Sequence, residues 1–217
     1  RSVLTEDEKE VGVAMVEIGA CTTNLASYCD GELRHIAALP FGGATVTNDL
    51  VRGLSVPFAE AERAKEHFGV ALAQLVDPQE TVELPGPGPG QKRHVARELI
   101  AHVVEQRLDE MFGLVHAELE HEGLLNKLGA GIVLTGGAST LHGTVELAQH
   151  VLAAPVRSGV PGEGLAGLAD SLGRPKFATV AGLVLYGADR YEETGDGAST
   201  LTSGLVSKVG SWLKEFF

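Results

Sequence analysis

At 217 residues the chain is long enough to bury a substantial core, as one domain with an inserted subdomain or as two intimate ones. A formal net charge of -12 argues against the basic footprint that nucleic acid needs, and an anionic membrane would repel such a body as well. There is no apolar run of spanning length, and the opening RSVLTEDEKE lacks the basic-then-apolar layout of a signal peptide, so the expectation is a cytoplasmic protein.

Residues 11–18 alternate as a strand and meet a turn around Gly19. Residues 25–29 and 33–39 give two further strands about Asp30-Gly31, so an antiparallel meander is expected. Cys21 and Cys29 flank the second strand, about 20 Å or more apart if it is extended, and are not expected to form a disulfide. Residues 44–69 turn helical, with Thr47 or Asn48 capping one helix and Pro57 opening another. Residues 81–84 read as a strand ending at PGPGPGQ, a loop that excludes helix and interior strand.

The longest helical pattern covers residues 95–128. Leu99, Val103, Leu108, Met111, Leu114, Val115 and Leu119 are expected on its buried face, and Gly113 is expected to break it. Residues 132–134 form a short buried-type strand running into Thr135-Gly136-Gly137, followed by helices over 144–152 and 175–190. In the second of these, Gly182 and Gly187 are expected at close-packing or cap positions. The histidines show no ligand spacing. His116 and His121 read as solvated helix residues, and no zinc site is expected.

Residues 192–204, EETGDGASTLTSG, are small and polar and read as a flexible tether. Beyond them Leu205, Val206, Val209, Trp212, Leu213, Phe216 and Phe217 fall on one stripe of a helix. At about 1.5 Å per residue that helix reaches roughly 20 Å, too short for the ~30 Å hydrocarbon core. It is suited to lying on a bilayer, to a partner groove, or to closing a core or a dimer interface; the tether before it favours a detachable anchor.

Two glycine-bearing strand ends carry the chemistry. EIGACTTN, residues 17–24, offers backbone N–H groups and the Thr22 and Thr23 hydroxyls at a hairpin tip, equipment that cradles a phosphate. TGGAS, residues 135–139, ends a buried strand before a helix, where Gly136 and Gly137 let a flat ligand approach the backbone. Turn chemistry alone would also place glycines there.

Taken in order, these segments resemble the second half of the FtsA family of bacterial actin-like cell-division proteins. EIGACTTN sits at the family's second phosphate loop, Asp-x-Gly-Gly-Gly-Thr-x-Asp. VLTEDEKEVGVAMVEIG resembles the start of the second lobe, and LPFGGATVTNDL the segment leading into its outer subdomain. AERAK, residues 61–65, resembles the Ala-Glu-x-x-Lys motif whose Glu and Lys reach the nucleoside. GIVLTGGAS resembles the adenosine-binding turn, and KFATVAGLVLYG the closing helix.

The resemblance implies an α/β, actin-like (ribonuclease H-like) second lobe, with residues 1–44 and 130–190 as the inner subdomain, 45–129 as an inserted outer subdomain, 191–203 as a linker and 204–217 as a membrane-targeting helix. It implies ATP with Mg2+ at Gly19, Thr22, Thr23, Glu62, Lys65, Gly136, Gly137, Ala138 and Lys176, with Glu17 on the metal side. It also implies binding of the C-terminal peptide of the tubulin-like ring protein FtsZ through Arg97 and Arg107, self-association into polymers, and peripheral attachment to the inner face of the cytoplasmic membrane. On the residues alone, Lys92, Arg93, Arg97 and Arg107 also suit a solvated face paired with Glu98, Glu105 and Asp109.

Two departures from the family pattern bear on activity. The first lobe is not represented, so the sequence reads as a fragment or as a half-protein needing another chain, and an ATP site between lobes is incomplete. In the phosphate loop Glu17 replaces Asp, Ala20 and Cys21 replace glycines, and Asn24 replaces the closing Asp. The extra methylene of Glu17 displaces its carboxylate by about 1 Å. Side chains at Ala20 and Cys21 cost roughly 1–2 kcal/mol each wherever the loop demands positive φ. Hydrolysis is expected to be weak or absent. The alternatives are an active ATPase reduced to one lobe, and the related actin-like pilus-assembly scaffold.

Overall fold

The computed structural model describes residues 2–86, 88, 90–162 and 172–193; the terminal helix of the sequence reading and its tether beyond residue 193 lie outside them, whereas residues 191–193, read as the start of the tether, end the last described helix. The described chain opens with a helix that the sequence reading passed over, α1 (Glu6–Val11). Its signal is a capping box: Glu8 N–H donates to Thr5 Oγ1 at 3.2 Å, and Thr5 N–H donates to Glu8 Oε2 at 2.9 Å. Gly12 ends it at φ 104°, where a Cβ would lie 1.9 Å from the Lys127 carbonyl oxygen.

Strands β1 (Val13–Ile18), β2 (Thr23–Cys29) and β3 (Glu32–Leu39) form the expected antiparallel meander. The chain then leaves the sheet through α2 (Gly43–Leu54), α3 (Phe58–Phe68), the hairpin β4 (Thr81–Pro85) and β5 (Lys92–Ala96), and α4 (Arg97–His121). It returns as β6 (Ile132–Thr135), α5 (Thr144–Leu152) and β7 (Val156–Ser158), a parallel β-α-β unit, and continues to α6 (Ala178–Glu193). The sheet order is β3-β2-β1-β6-β7, with β1 parallel to β6.

Strand alternation sends the sheet's two faces into different cores. Ala14, Val16, Ile18, Leu25, Ile132 and Leu134 join a cluster that continues without a break through α2, α4 and α5 to Val82 and Leu84 of the β4–β5 hairpin. The opposite residues Val13 and Val133 pack with Val3, Leu4 and Ala178 of α6. Helices therefore cover both faces of a mixed sheet, an α/β architecture.

Several expectations need correction. Thr47 and Asn48 do not cap α2: the helix starts at Gly43, Thr45 Oγ1 accepts from Gly42 N–H, and Thr47 lies fully buried inside it. The long helix begins at Arg97, because residues 92–96 pair back onto β4 with Val95 opposite Val82. Gly113 does not break it, since a Cβ there meets nothing within 4 Å and the helix passes through. Its buried face holds Leu108, Met111, Val115 and Leu119 as expected, together with Ile100, Ala101, Val104 and Phe112. Leu99 and Leu114 stand 45% and 46% exposed. Gly182 packs against Ser2, whereas Gly187 faces open space. Both cysteines are free, Cys21 exposed and Cys29 buried.

Candidate functional site

Because β1 and β6 are parallel neighbours with Glu17 opposite Thr135, their carboxyl ends bring the two glycine-bearing turns side by side. In open α/β sheets that edge is where ligands bind. The turns touch closely. Gly136 adopts φ 90°, and a Cβ on it would lie 2.4 Å from the Ile18 carbonyl oxygen, so only glycine fits. Thr135 Oγ1 donates to the carbonyl of Gly159 at 2.9 Å, and Gly136 N–H donates to that of Pro175 at 3.2 Å, which fixes the 174–176 segment beside the turn.

The hairpin tip is closed by Gly19 N–H donating to the Thr22 carbonyl at 2.9 Å. The N-terminus of α2 sits on this tip: Gly43 N–H donates to Gly19 O at 2.9 Å and Ala44 N–H to Ala20 O at 2.7 Å. A Cβ on Gly42 would lie 2.6 Å from Gly19 O. No residue from Gly19 to Thr22 has positive φ, so the backbone strain expected for Ala20 and Cys21 does not arise.

From α3, Lys65 reaches under the start of α2 and is buried. Its Nζ donates to Glu62 Oε1 at 2.7 Å, Glu62 Oε2 at 2.8 Å, Thr47 Oγ1 at 2.9 Å and the Gly43 carbonyl at 3.1 Å. Burial on its own would raise the Glu62 pKa; hydrogen bonds from Lys65 and Thr47 outweigh it and hold the carboxyl below its usual value. An ionised, half-exposed carboxylate with lone pairs to spare is suited to accepting hydroxyl donors such as a ribose diol.

These elements surround a cavity of about 690 Å³, within the range of nucleotide-sized ligand sites. Gly19, Glu62, Lys65, Gly137, Ala138 and Lys176 line it, six of the nine residues implicated by the sequence for nucleotide. Of the other three, Gly136 lies just behind the wall and Thr22 is exposed. Thr23 is buried, with its hydroxyl donating to the Phe41 carbonyl at 2.9 Å. A Cβ on Gly137 would find only Lys176 Cβ, at 3.8 Å, which leaves its backbone open to a ligand. Lys176 Nζ lies 4.8 Å from the centre of the Phe177 ring. Gly43 and Arg174 also line the cavity. The sequence reading passed them over because only folding carries α2 and the 174–176 segment to the strand ends.

Glu17 does not line the cavity. Its Oε2 accepts from Asn24 Nδ2 at 3.1 Å, and its Oε1 accepts from the Thr179 hydroxyl of α6. Arg97 and Arg107 do not form one cluster. Arg97 lines the cavity, donating to the Phe68 carbonyl at 3.0 Å and to Glu80 at 2.9 Å and 3.0 Å. Arg107, nearly three turns along α4, bridges Asp49 of α2 and Glu110. Arg93 donates to the Leu54 carbonyl and Lys92 pairs with Glu83. All four cations are thus engaged, though not with the Glu98, Glu105 and Asp109 partners read from sequence spacing. Glu105 instead accepts from Ala73 N–H at 2.9 Å. Among the described residues no helix is long and apolar enough to cross a membrane.

Comparison with known proteins agrees with this geometry. The fold is similar to an MreB of Spiroplasma citri solved with ADP bound, at TM-score 0.66 and 16% identity, over 88% of this chain and 58% of that one. It is also similar to the MamK double helical filament protein, at TM-score 0.53 and 17% identity, over 77% and 54% of the respective chains. In sequence, the chain is 44% identical to the cell division protein FtsA of Pseudomonas aeruginosa over 94% of its own length and 48% of the relative's. The FtsA of Escherichia coli is 38% identical over 98% and 51%. The chain therefore spans about half the length of the curated relatives it matches. The family model for cell division protein FtsA matches residues 14–182, which takes in both glycine turns, the cavity and the long helix, and the chain belongs to the FtsA family.

Proposed function

We propose that this chain is the nucleotide-holding and partner-recruiting half of a cell-division adaptor that tethers the FtsZ ring to the inner face of the cytoplasmic membrane. The observation that carries the reading is the convergence of Gly19, Glu62, Lys65, Gly137 and Lys176 on one cavity at the carboxyl edge of an actin-like sheet. ATP suits that cavity: Lys65 and Lys176 supply positive charge, Gly137 an open backbone, and Glu62 an acceptor for the ribose. Glu17 is the carboxylate proposed for the magnesium side, and since it does not line the cavity it would have to leave Asn24 and Thr179 to reach the ion. Bound magnesium would neutralise phosphate charge. Hydrolysis is weak or absent in this reading, because Glu17 and Asn24 stand where the family pattern has aspartates.

In the same reading residues 1–44 and 130–190 form the inner subdomain, 45–129 the outer one, and α4 presents Arg107 to an acidic FtsZ C-terminal peptide. Residues 191–203 tether a lipid-binding helix at 204–217. Each large apolar side chain buried in lipid would contribute on the order of 1–2 kcal/mol. Ordering costs about 1 kcal/mol or more per residue, so one copy binds weakly and a polymer of tails binds durably. The test is co-sedimentation of a labelled FtsZ C-terminal peptide with liposomes. The protein should carry the peptide down, and deletion of residues 205–217 should abolish this while leaving peptide affinity in solution intact. Equal recruitment by both forms would overturn the tethering role.

A further inference from the structure

One cluster of side chains lies away from the nucleotide cavity and serves none of the roles above. His35 on β3 meets Glu118 of α4 and Glu122, which caps that helix, where the edge of the sheet crosses the end of the long helix. His35 Nε2 is 2.9 Å from Glu118 Oε1, and Nδ1 is 3.8 Å from Glu122 Oε2. One donor atom from each residue lies within 4.8 Å of the others, the only such group among the described residues. The side chains of His35 and Glu118 are 18% and 30% exposed. Four-residue spacing puts the two carboxylates on one helix face.

A buried polar residue stands next to the cluster in the sheet. Ser27 is the cross-strand partner of His35, so both side chains project from the same face of the sheet. Ser27 is fully buried and its Oγ has no hydrogen-bond partner. Buried hydroxyls are ordinarily satisfied by protein, water or a bound group. Cys29, two residues further along the same face, is buried and outside any disulfide, and its thiol donates to the Lys127 carbonyl at 3.8 Å. With His35 and Glu122 it lines a recess of about 430 Å³. Arg34 and Lys127 border the recess too, and the Arg34 charge is compensated by Asp30 at 3.4 Å and Glu32 at 3.1 Å.

We propose that His35, Glu118 and Glu122 bind a divalent transition-metal cation of the zinc class. An imidazole among the donors favours zinc over magnesium or calcium, which prefer all-oxygen shells. Bonds of about 2.0–2.1 Å in a tetrahedron set donors about 3.3 Å apart, so the widest separation in the cluster, up to 4.8 Å, closes by about 1.5 Å on binding through rotation of the two glutamate side chains. The ion would pin the edge strand of the sheet to the helix that carries the proposed peptide surface. No ligand spacing shows along the chain because His35 and Glu118 lie 83 residues apart and only folding joins them.

The test is titration of the purified chain with zinc against a chromophoric chelator, with cobalt absorption as a second readout of the donor set. One equivalent per chain is expected. His35→Ala and Glu118→Gln should each weaken binding at least tenfold, while His116→Ala should leave it unchanged. Zinc should also raise the melting temperature of the wild-type chain and not that of a Glu122→Gln variant that retains its far-ultraviolet circular dichroism. No zinc uptake by the wild-type chain overturns the proposal. So does uptake that survives all three cluster substitutions.

Discussion

Replacing Gly136 by alanine separates the fold from the site. At φ 90° an L side chain carries an intrinsic cost of about 1–2 kcal/mol. The added Cβ would also stand 2.4, 2.7 and 2.8 Å from the O, C and N atoms of Ile18, inside ordinary contact distance. Ile18 cannot retreat cheaply, because β1 is paired with β2 on one side and β6 on the other and the residue is 1% exposed. Overpacking of this kind costs roughly 1–3 kcal/mol, for a total of roughly 2–5 kcal/mol. Its neighbour is the control: Gly137→Ala meets only Lys176 Cβ at 3.8 Å and should change stability by less than about 1 kcal/mol, yet lower ATP affinity, because Gly137 lines the cavity. Urea denaturation followed by circular dichroism, with titration of a fluorescent ATP analogue, reads both quantities. Equal stability of the two variants would refute the argument that these turns are wedged together.

Lys65→Met should cost about 1–3 kcal/mol by orphaning Glu62 and Thr47, and the double variant with Glu62→Gln should cost less than the sum of the two, measured in the same urea assay. Hydrogen bonds from Arg157 lower the pKa of Glu8, and those from Lys65 and Thr47 lower that of Glu62, both from a reference of 4.5. The unfolded chain therefore takes up protons first. Their stabilising contribution is present above about pH 4.5 and is lost as pH falls through the depressed folded values, so Glu8→Gln and Glu62→Gln should each flatten the fall in urea midpoint between neutral pH and about pH 3.5. Arg107→Glu should weaken binding of an acidic peptide at least tenfold by fluorescence anisotropy, whereas Arg107→Lys should weaken it less; unchanged affinity would leave Arg107 as a purely structural bridge to Asp49. In a protein carrying both lobes, Glu17→Asp, Ala20→Gly, Cys21→Gly and Asn24→Asp together should raise phosphate release above that of the natural loop. Equal rates would show that the loop does not limit hydrolysis.

Local chemistry was legible in the sequence. The meander, the β6 strand and α5 were set by alternation, by Asp30-Gly31 and by helical periodicity, and each formed where its pattern stood. The glycines of the two turns were legible as well, because strand ends that meet a helix need close backbone approach. Long-range pairing was not legible. Residues 92–96 carry no strong strand signal and became β5 only because β4 supplied a partner across the loop, which moved the start of α4. The register of α4 was half-read, since which of its apolar residues are buried depends on the angle at which it crosses the sheet.

The same division runs through the chemistry. Family resemblance named Glu62 and Lys65, but only tertiary structure added Thr47 and Gly43 around the lysine, because burial of an ammonium requires acceptors from another helix. Sequence grouped Arg97 with Arg107 by composition. The fold sent one to the cavity and the other to Asp49, because opposite charges brought together by packing decide which ion pairs form.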